Sequence, residues 1–118
     1  MKTIQFDSKK LVHYESWGCC QEYYNDNEAK FRTICINPKR NMQFEYAEKC
    51  GFWYVVRGEG KIKTDSESLD IYPGRTYLIK NKKCEVEANG ETMLEIIETQ
   101  TPSPASPKIL RQVKQIVP

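Results

Sequence analysis

Short segments of alternating side chains, broken by turn residues, constrain this chain more than any other feature. Phe31, Thr33 and Cys35 alternate with Arg32, Ile34 and Ile36 up to Asn37-Pro38, and Met42, Phe44 and Tyr46 alternate with Gln43 and Glu45. Successive side chains on a strand point to opposite faces, so this period predicts half-buried β-strands. Phe52-Trp53-Tyr54-Val55-Val56 is rich in aromatic and β-branched residues, which predicts a strand buried on both faces. Lys61–Thr64, Ser68–Tyr72, Thr76–Ile79, Cys84–Ala88 and Met93–Glu98 continue the series. Between them lie Gly58-Glu59-Gly60, Asp65-Ser66-Glu67, Pro73-Gly74 and Asn89-Gly90. Pro-Gly predicts a type II turn, because glycine accepts the positive φ there. Asn-Gly predicts a tight hairpin. No long helical period precedes residue 100, so the expectation is an all-β sandwich or barrel.

At 118 residues the chain has room for one domain with one core. Residues 1–100 are read as the barrel. Residues 101–118 are read as a short C-terminal extension: a linker with Pro102, Pro104 and Pro107, then an amphipathic segment with Leu110, Val113 and Ile116/Val117 at roughly helical spacing. Such a segment needs a surface, either its own barrel or a second subunit. The net charge of +2 is too small to argue for nucleic acid or a membrane as partner. No apolar run approaches membrane-spanning length, and MKTIQFDSKK lacks the apolar centre of a signal peptide, so a cytoplasmic protein is expected. The five cysteines include no Cys-x-x-Cys, which predicts reduced thiols. Cys19 and Cys20 are adjacent and would face opposite sides of a strand, where they cannot share a zinc ion.

Four pieces recur in a known order. They are Glu15-Ser16-Trp17-Gly18, KFRTICINP over residues 30–38, Trp53-Tyr54-Val55-Val56-Arg57-Gly58, and LDIYPGRTYLI over residues 69–79. Together they resemble the C-terminal cupin domain of type II mannose-6-phosphate isomerases, the part fused to mannose-1-phosphate guanylyltransferases in bacteria. The resemblance spans residues 12–99. It implies a single-domain cupin, a double-stranded β-helix or jelly-roll barrel. It also implies an isomerase that moves a proton between adjacent sugar carbons with help from a metal held by histidines.

The chain departs from that pattern where the chemistry lies. It has one histidine, His13, outside the motifs. Aligned on Gly58, the family's two histidine positions fall on Tyr46 and Glu48, and its glutamate position falls on Gly51. Aligned on Gly74, the last histidine position falls on Glu85. Alternation instead turns Cys84, Val86 and Ala88 inward, and a thiol costs less in a barrel interior than an unpaired carboxylate, which favours Cys84. One carboxylate, one thiol and a phenol are a poor ligand set for zinc or similar ions, so no metal and no cofactor is expected.

These residues predict a binding protein rather than an isomerase. Phe44, Tyr46, Trp53 and Tyr77 offer aromatic faces, and Glu48 and Cys84 offer polar contacts, a combination that suits a sugar or other polyol. Arg57 and Lys82, with Arg75, Lys80 and Lys83 nearby in sequence, offer a rim for a phosphate. The expectation is a metal-free cupin that binds a sugar phosphate, a nucleotide-sugar or a similar small polar ligand. Two alternatives stand beside it: an isomerase or epimerase with Glu48 as candidate base, and a dimeric protein-interaction module. A homodimer is expected, formed in the interaction-module reading through the barrel edges and the tail helix.

Overall fold

The structure is a computed structural model that describes residues 11–26, 28–46, 48–80, 83–102 and 109–113. Among the described residues eleven strands form: β1 (Leu11–Glu15), β2 (Gly18–Asn25), β3 (Lys30–Ile36), β4 (Asn41–Phe44), β5 (Lys49–Arg57), β6 (Gly60–Lys63), β7 (Ser68–Ile71), β8 (Thr76–Lys80), β9 (Cys84–Ala88), β10 (Leu94–Pro102) and β11 (Ile109–Gln112). Among the described residues no helix is long and apolar enough to cross a membrane. The strands make two antiparallel sheets, one of seven strands in the order β1-β2-β3-β10-β5-β8-β11 and one of four in the order β4-β9-β6-β7. This is the expected all-β barrel.

The period-two pattern explains the core. Each sheet sends alternate side chains toward the other. Ile34, Ile36, Trp53, Val55, Tyr77, Ile79, Leu94 and Ile96 from the larger sheet meet Met42, Ile62, Ile71, Val86 and Ala88 from the smaller one in a single buried cluster. On β9 the alternation places Cys84, Val86 and Ala88 inside and Glu85 and Glu87 outside. Gly74 follows Pro73 with φ of 78°, the left-handed conformation that a type II turn requires.

Four readings need correction. β5 is buried on one face only: Trp53 and Val55 are in the core, whereas Phe52, Tyr54 and Val56 are exposed. Asn89-Gly90 does not close a hairpin. β9 pairs with β4 and β6, and β10 pairs with β3 and β5, so this segment crosses between sheets. Strands β1 and β2 lie in a stretch that the pattern left unassigned, and in β2 the pairing with β3 shifts register between Glu22 and Tyr24 and breaks the alternation.

The tail is the fourth. β10 runs on to Pro102, and residues 109–112 form a strand rather than the start of a helix. β11 pairs antiparallel with β8, with Leu110 opposite Ile79, and Leu110 packs against the core. The edge of β8 presents unpaired backbone groups, and a short segment gains more by satisfying them than by forming an isolated helical turn. Val113 donates its backbone N–H to the Thr76 carbonyl at 2.8 Å and closes the strand. The rest of the tail reading, residues 103–108 and 114–118, lies outside the described residues. Leu110→Ala is expected to lower stability by about 1–2 kcal/mol, and removal of residues 103–118 by more, as read from urea unfolding. Unchanged midpoints in both would show that β11 contributes nothing to the fold.

Candidate functional site

The polar centre of the barrel is a buried ion pair. Glu98 on β10 has no exposed surface, and Arg32 sits directly opposite on β3. Arg32 donates from Nε to Glu98 Oε1 at 2.5 Å and from Nη2 to Oε2 at 3.3 Å. Three more donors complete the carboxylate. The Tyr46 hydroxyl donates to Oε2, Trp53 Nε1 donates to Oε2 at 3.1 Å, and Gln100 Nε2 donates to Oε1 at 2.8 Å. Trp53 Nε1 also lies 2.7 Å from the Tyr46 oxygen. Phe44 covers the cluster, with its ring centroid 4.7 Å from that of Trp53 and 5.4 Å from that of Tyr46. Burial by itself would raise the Glu98 carboxyl, but the Arg32 guanidinium and the other donors outweigh it and hold the group below its ordinary range. Burial and then the neighbouring Glu98 charge push the Tyr46 phenol well above 10, so it stays a neutral donor.

This arrangement bears on the metal that the family pattern implies. Tyr46 stands at the first histidine position, and its ring fills the space in front of Gly51, which stands at the glutamate position. A Cβ on Gly51 would come within 2.5 Å of Tyr46 Cζ, so no larger residue fits there while Tyr46 keeps its place. Glu48 does not face inward. β4 ends at Phe44, alternation does not carry past a strand end, and Glu48 is exposed in the connection to β5. Cys84 is buried, and burial pushes its thiol up to about 11, so it is protonated at neutral pH. A neutral phenol, a glycine, an outlying carboxylate and a protonated thiol do not fit a metal ion. Among the described residues, no three His, Cys, Asp or Glu side chains converge on a point.

Two openings adjoin this centre and share Glu45. The larger is a cleft of about 720 Å³ at the ends of β4, β6 and β9, reached by Phe44, Cys84, Glu45, Lys63, Asp65 and Lys83. The smaller, about 320 Å³, is lined by Tyr46, Glu48, Lys49 and Gln100 as well as Glu45, and so lies directly over the Glu98 network.

The structure therefore divides the expected site residues. Phe44 and Cys84 reach the larger cleft, and Tyr46 and Glu48 reach the smaller. Trp53 and Tyr77 line neither. Trp53 is held in the ion-pair network, and Tyr77 is a core residue whose hydroxyl accepts the Tyr72 backbone N–H at 2.8 Å. Arg57 is on the outer face of β5, paired with Glu95 at 2.9 Å, and is remote from both openings in the sheet. Lys82 lies outside the described residues. His13 is half exposed and 3.6 Å from Glu22.

Arg32, Glu98 and Gln100 were not singled out from the sequence, although the signal was present. Arg32, like Lys30, is in phase with Ile34 and Ile36, and Glu98 is in phase with Leu94 and Ile96, so the two strands carry charges of opposite sign in the inward phase.

Breaking the pair leaves a buried charge uncompensated. Glu98→Gln is expected to cost about 3–5 kcal/mol at neutral pH, while joint replacement of Arg32 by Met and Glu98 by Leu recovers a large part of the loss. Because the folded carboxyl lies below its ordinary value of 4.5, the stability it supplies is present above that value and is lost as the pH falls through the folded value. Melting temperatures of the native protein should therefore drop on acidification below the ordinary value more steeply than those of Glu98→Gln. Parallel curves would remove Glu98 from the account. Gly51→Ala is expected to destabilise by about 1–3 kcal/mol through the collision with Tyr46, with a smaller effect in a Tyr46→Leu background. Equal effects in both backgrounds would refute the contact.

Comparison with known proteins agrees with this fold. Solved structures of similar fold include KdgF from Halomonas sp. (12% identity, 88% of this chain and 97% of that one, TM-score 0.69). An RmlC-like cupin from Shewanella frigidimarina is similar as well (15% identity, 89% of this chain and 95% of that one, TM-score 0.67). The Cnp3 cupin domain of Schizosaccharomyces pombe shares 3% identity over 71% of this chain, which covers 65% of that domain, with a TM-score of 0.63. At such identities the likeness shows a shared fold alone. No curated protein sequence matches the chain. The profile of the mannose-6-phosphate isomerase C-terminal family (MannoseP_isomer) matches residues 5–106, nearly the whole barrel, and the chain belongs to that family of cupin domains.

Proposed function

We propose that this chain is a cupin that binds a small polar ligand, of the sugar phosphate or nucleotide-sugar class, at the open end of its barrel, without a metal and without isomerase turnover. One observation carries the reading: the polar groups around Glu98 are committed to one another, while an open cleft lined by Phe44 and by charged side chains stands next to them. Arg32, Tyr46, Trp53 and Gln100 all donate to Glu98, Arg32 also reaches the Cys20 sulfur, and Trp53 also reaches the Tyr46 oxygen. The cleft outside that closed network has about 720 Å³, within the ~300–1,000 Å³ usual for small-molecule sites.

The lining suits such a ligand. Phe44 offers an apolar face for the C–H side of a sugar ring. Glu45 and Asp65 can accept from hydroxyl groups, and Gln43 can both donate and accept. Lys83 supplies positive charge for a phosphate, whereas Lys63 is paired with Glu87 at 3.0 Å and Glu85 adds a third acid to the lining. The isomerase reaction, by contrast, asks for a base and a group that polarises a carbonyl. Glu48 is exposed, the Cys84 thiol is protonated, and Glu98 is locked in its pair, so none is placed to abstract a carbon-bound proton.

A thermal-shift series with mannose-6-phosphate, mannose-1-phosphate and GDP-mannose tests the reading. A ligand that binds only the folded chain raises stability by about 2.7 kcal/mol at a hundred times its dissociation constant, a rise of several degrees. Lys83→Glu, an exposed change, is expected to weaken that response at least about tenfold in concentration, the effect of about 1.4 kcal/mol. Flat melting curves with all three compounds would sink the binding role. Interconversion of mannose-6-phosphate and fructose-6-phosphate by the purified chain would restore the isomerase reading.

A further inference from the structure

Two of the five thiols meet. Cys19 on β2 and Cys35 on β3 are direct cross-strand partners, and their side chains share a hydrogen bond. Both are partly exposed, in the row Tyr14–Cys19–Cys35–Glu95–Arg57 of the seven-stranded sheet. The other three cysteines stand apart from this pair. Cys20 is buried on the inner side of β2, with its sulfur 3.9 Å from Arg32 Nη1. Cys50 lies 3.5 Å from the Thr101 hydroxyl. Cys84 is buried in the smaller sheet, opposite Phe44.

We propose that Cys19 and Cys35 form a redox modification site: a dithiol that a low-molecular-weight disulfide converts to an intramolecular disulfide, stapling β2 to β3. The inference is independent of the ligand proposed above.

The strand pairing favours closure. Directly opposite residues of an antiparallel pair stand about 4.5–5.5 Å apart at Cα, inside the ~4.4–6.8 Å that disulfides span. Their Cβ atoms stand about 4.5–5.5 Å apart, against ~3.8 Å in a disulfide, so closure draws the two strands slightly together. A bond closed against such resistance is readily reduced again, as a reversible modification requires. The ladder from Gly18–Ile36 to Glu22–Arg32 already holds both residues in place, so little freedom remains to be lost when the sulfurs join.

The surroundings set the order of events. Burial first, and then the Cys19 and Glu95 charges, push the Cys35 thiol up to about 11, so it is protonated at neutral pH and Cys19 attacks first. The Cys19 thiolate attacks one sulfur of the reagent RS–SR, forms Cys19–S–S–R and expels RS⁻. That step removes the Cys19 charge, one of the causes that keep Cys35 protonated, while Arg57 favours the Cys35 thiolate. Cys35 then gives its proton to water, attacks the Cys19 sulfur and expels the second RS⁻. The chain has lost two electrons and two protons, and the reagent has become two RSH.

The test equilibrates the reduced full chain with excess oxidised glutathione, then quenches it in acid and alkylates the remaining thiols in denaturant. The expected result is a fall from the five thiols of the sequence to three, counted by intact mass. Peptide mapping without reductant should join Cys19 to Cys35 within one chain, and dithiothreitol should restore all the thiols. Cys35→Ser is expected to stop at the mixed disulfide, with one glutathione on Cys19, and Cys19→Ser to lose the link entirely. Both positions are partly exposed, so both variants should keep the cooperative melting of the parent, and the parent's own thiol count decides the case without them. A folded chain that keeps all its thiols overturns the proposal. A link that survives in Cys19→Ser, that joins other cysteines, or that doubles the mass on a non-reducing gel overturns it equally.

Discussion

The buried charge on Glu98 is the constraint around which the interior is arranged. A carboxylate removed from water costs several kcal/mol unless its oxygens are fully satisfied, and one counter-ion is not enough. Here satisfaction comes from several elements at once. Arg32 comes from β3, Trp53 from β5, Gln100 from further along β10 itself, and Tyr46 from the connection between the two sheets. The network thus fixes a connection that backbone pairing alone leaves loose. It also fixes the face that Trp53 shows to Phe44, and hence the floor of the larger cleft.

The same constraint explains which parts of the fold were legible in the sequence. Strands with one dry face, such as β3, β4 and β9, could be read from their alternation, because a one-residue slip would turn the whole apolar set to water. Cys84 could be placed inside on that basis against a motif alignment that favoured Glu85, and it is buried. Glu48 was misplaced: alternation set it inward with Phe44 and Tyr46, but β4 stops at Phe44 and Glu48 is exposed. β11 was misread because its apolar spacing is compatible with a helix, and the decisive partner, the edge of β8, is nearly thirty residues away in sequence. β5 was misread for a related reason. Its continuous apolar run matched a strand dry on both faces, and periodicity contains no term for a surface that leaves Phe52, Tyr54 and Val56 exposed.

The pair itself was legible in principle. A charge in phase with isoleucines is anomalous on a strand, and two such anomalies of opposite sign predict each other once the strands are known to be neighbours. What the sequence does not reveal is the pairing of β3 with β10, two strands more than sixty residues apart. Register, rather than residue type, was the missing information.

The family's metal positions have not merely lost their ligands. Positions 46 and 51 depend on each other, because the Tyr46 ring fills the space in front of Gly51, and positions 46, 51 and 84 each resist a simple return. A histidine at position 46 would withdraw the hydroxyl that serves both Glu98 and Trp53, leaving buried groups short of partners at about 1–3 kcal/mol each. A glutamate at position 51 would collide with the Tyr46 ring and bring a second carboxylate toward Glu98. An inward ligand at position 84 would sit where the surroundings already hold a thiol in its neutral form. Any one of these changes made alone destabilises the barrel without completing a metal site. An interior closed in this way contributes rigidity.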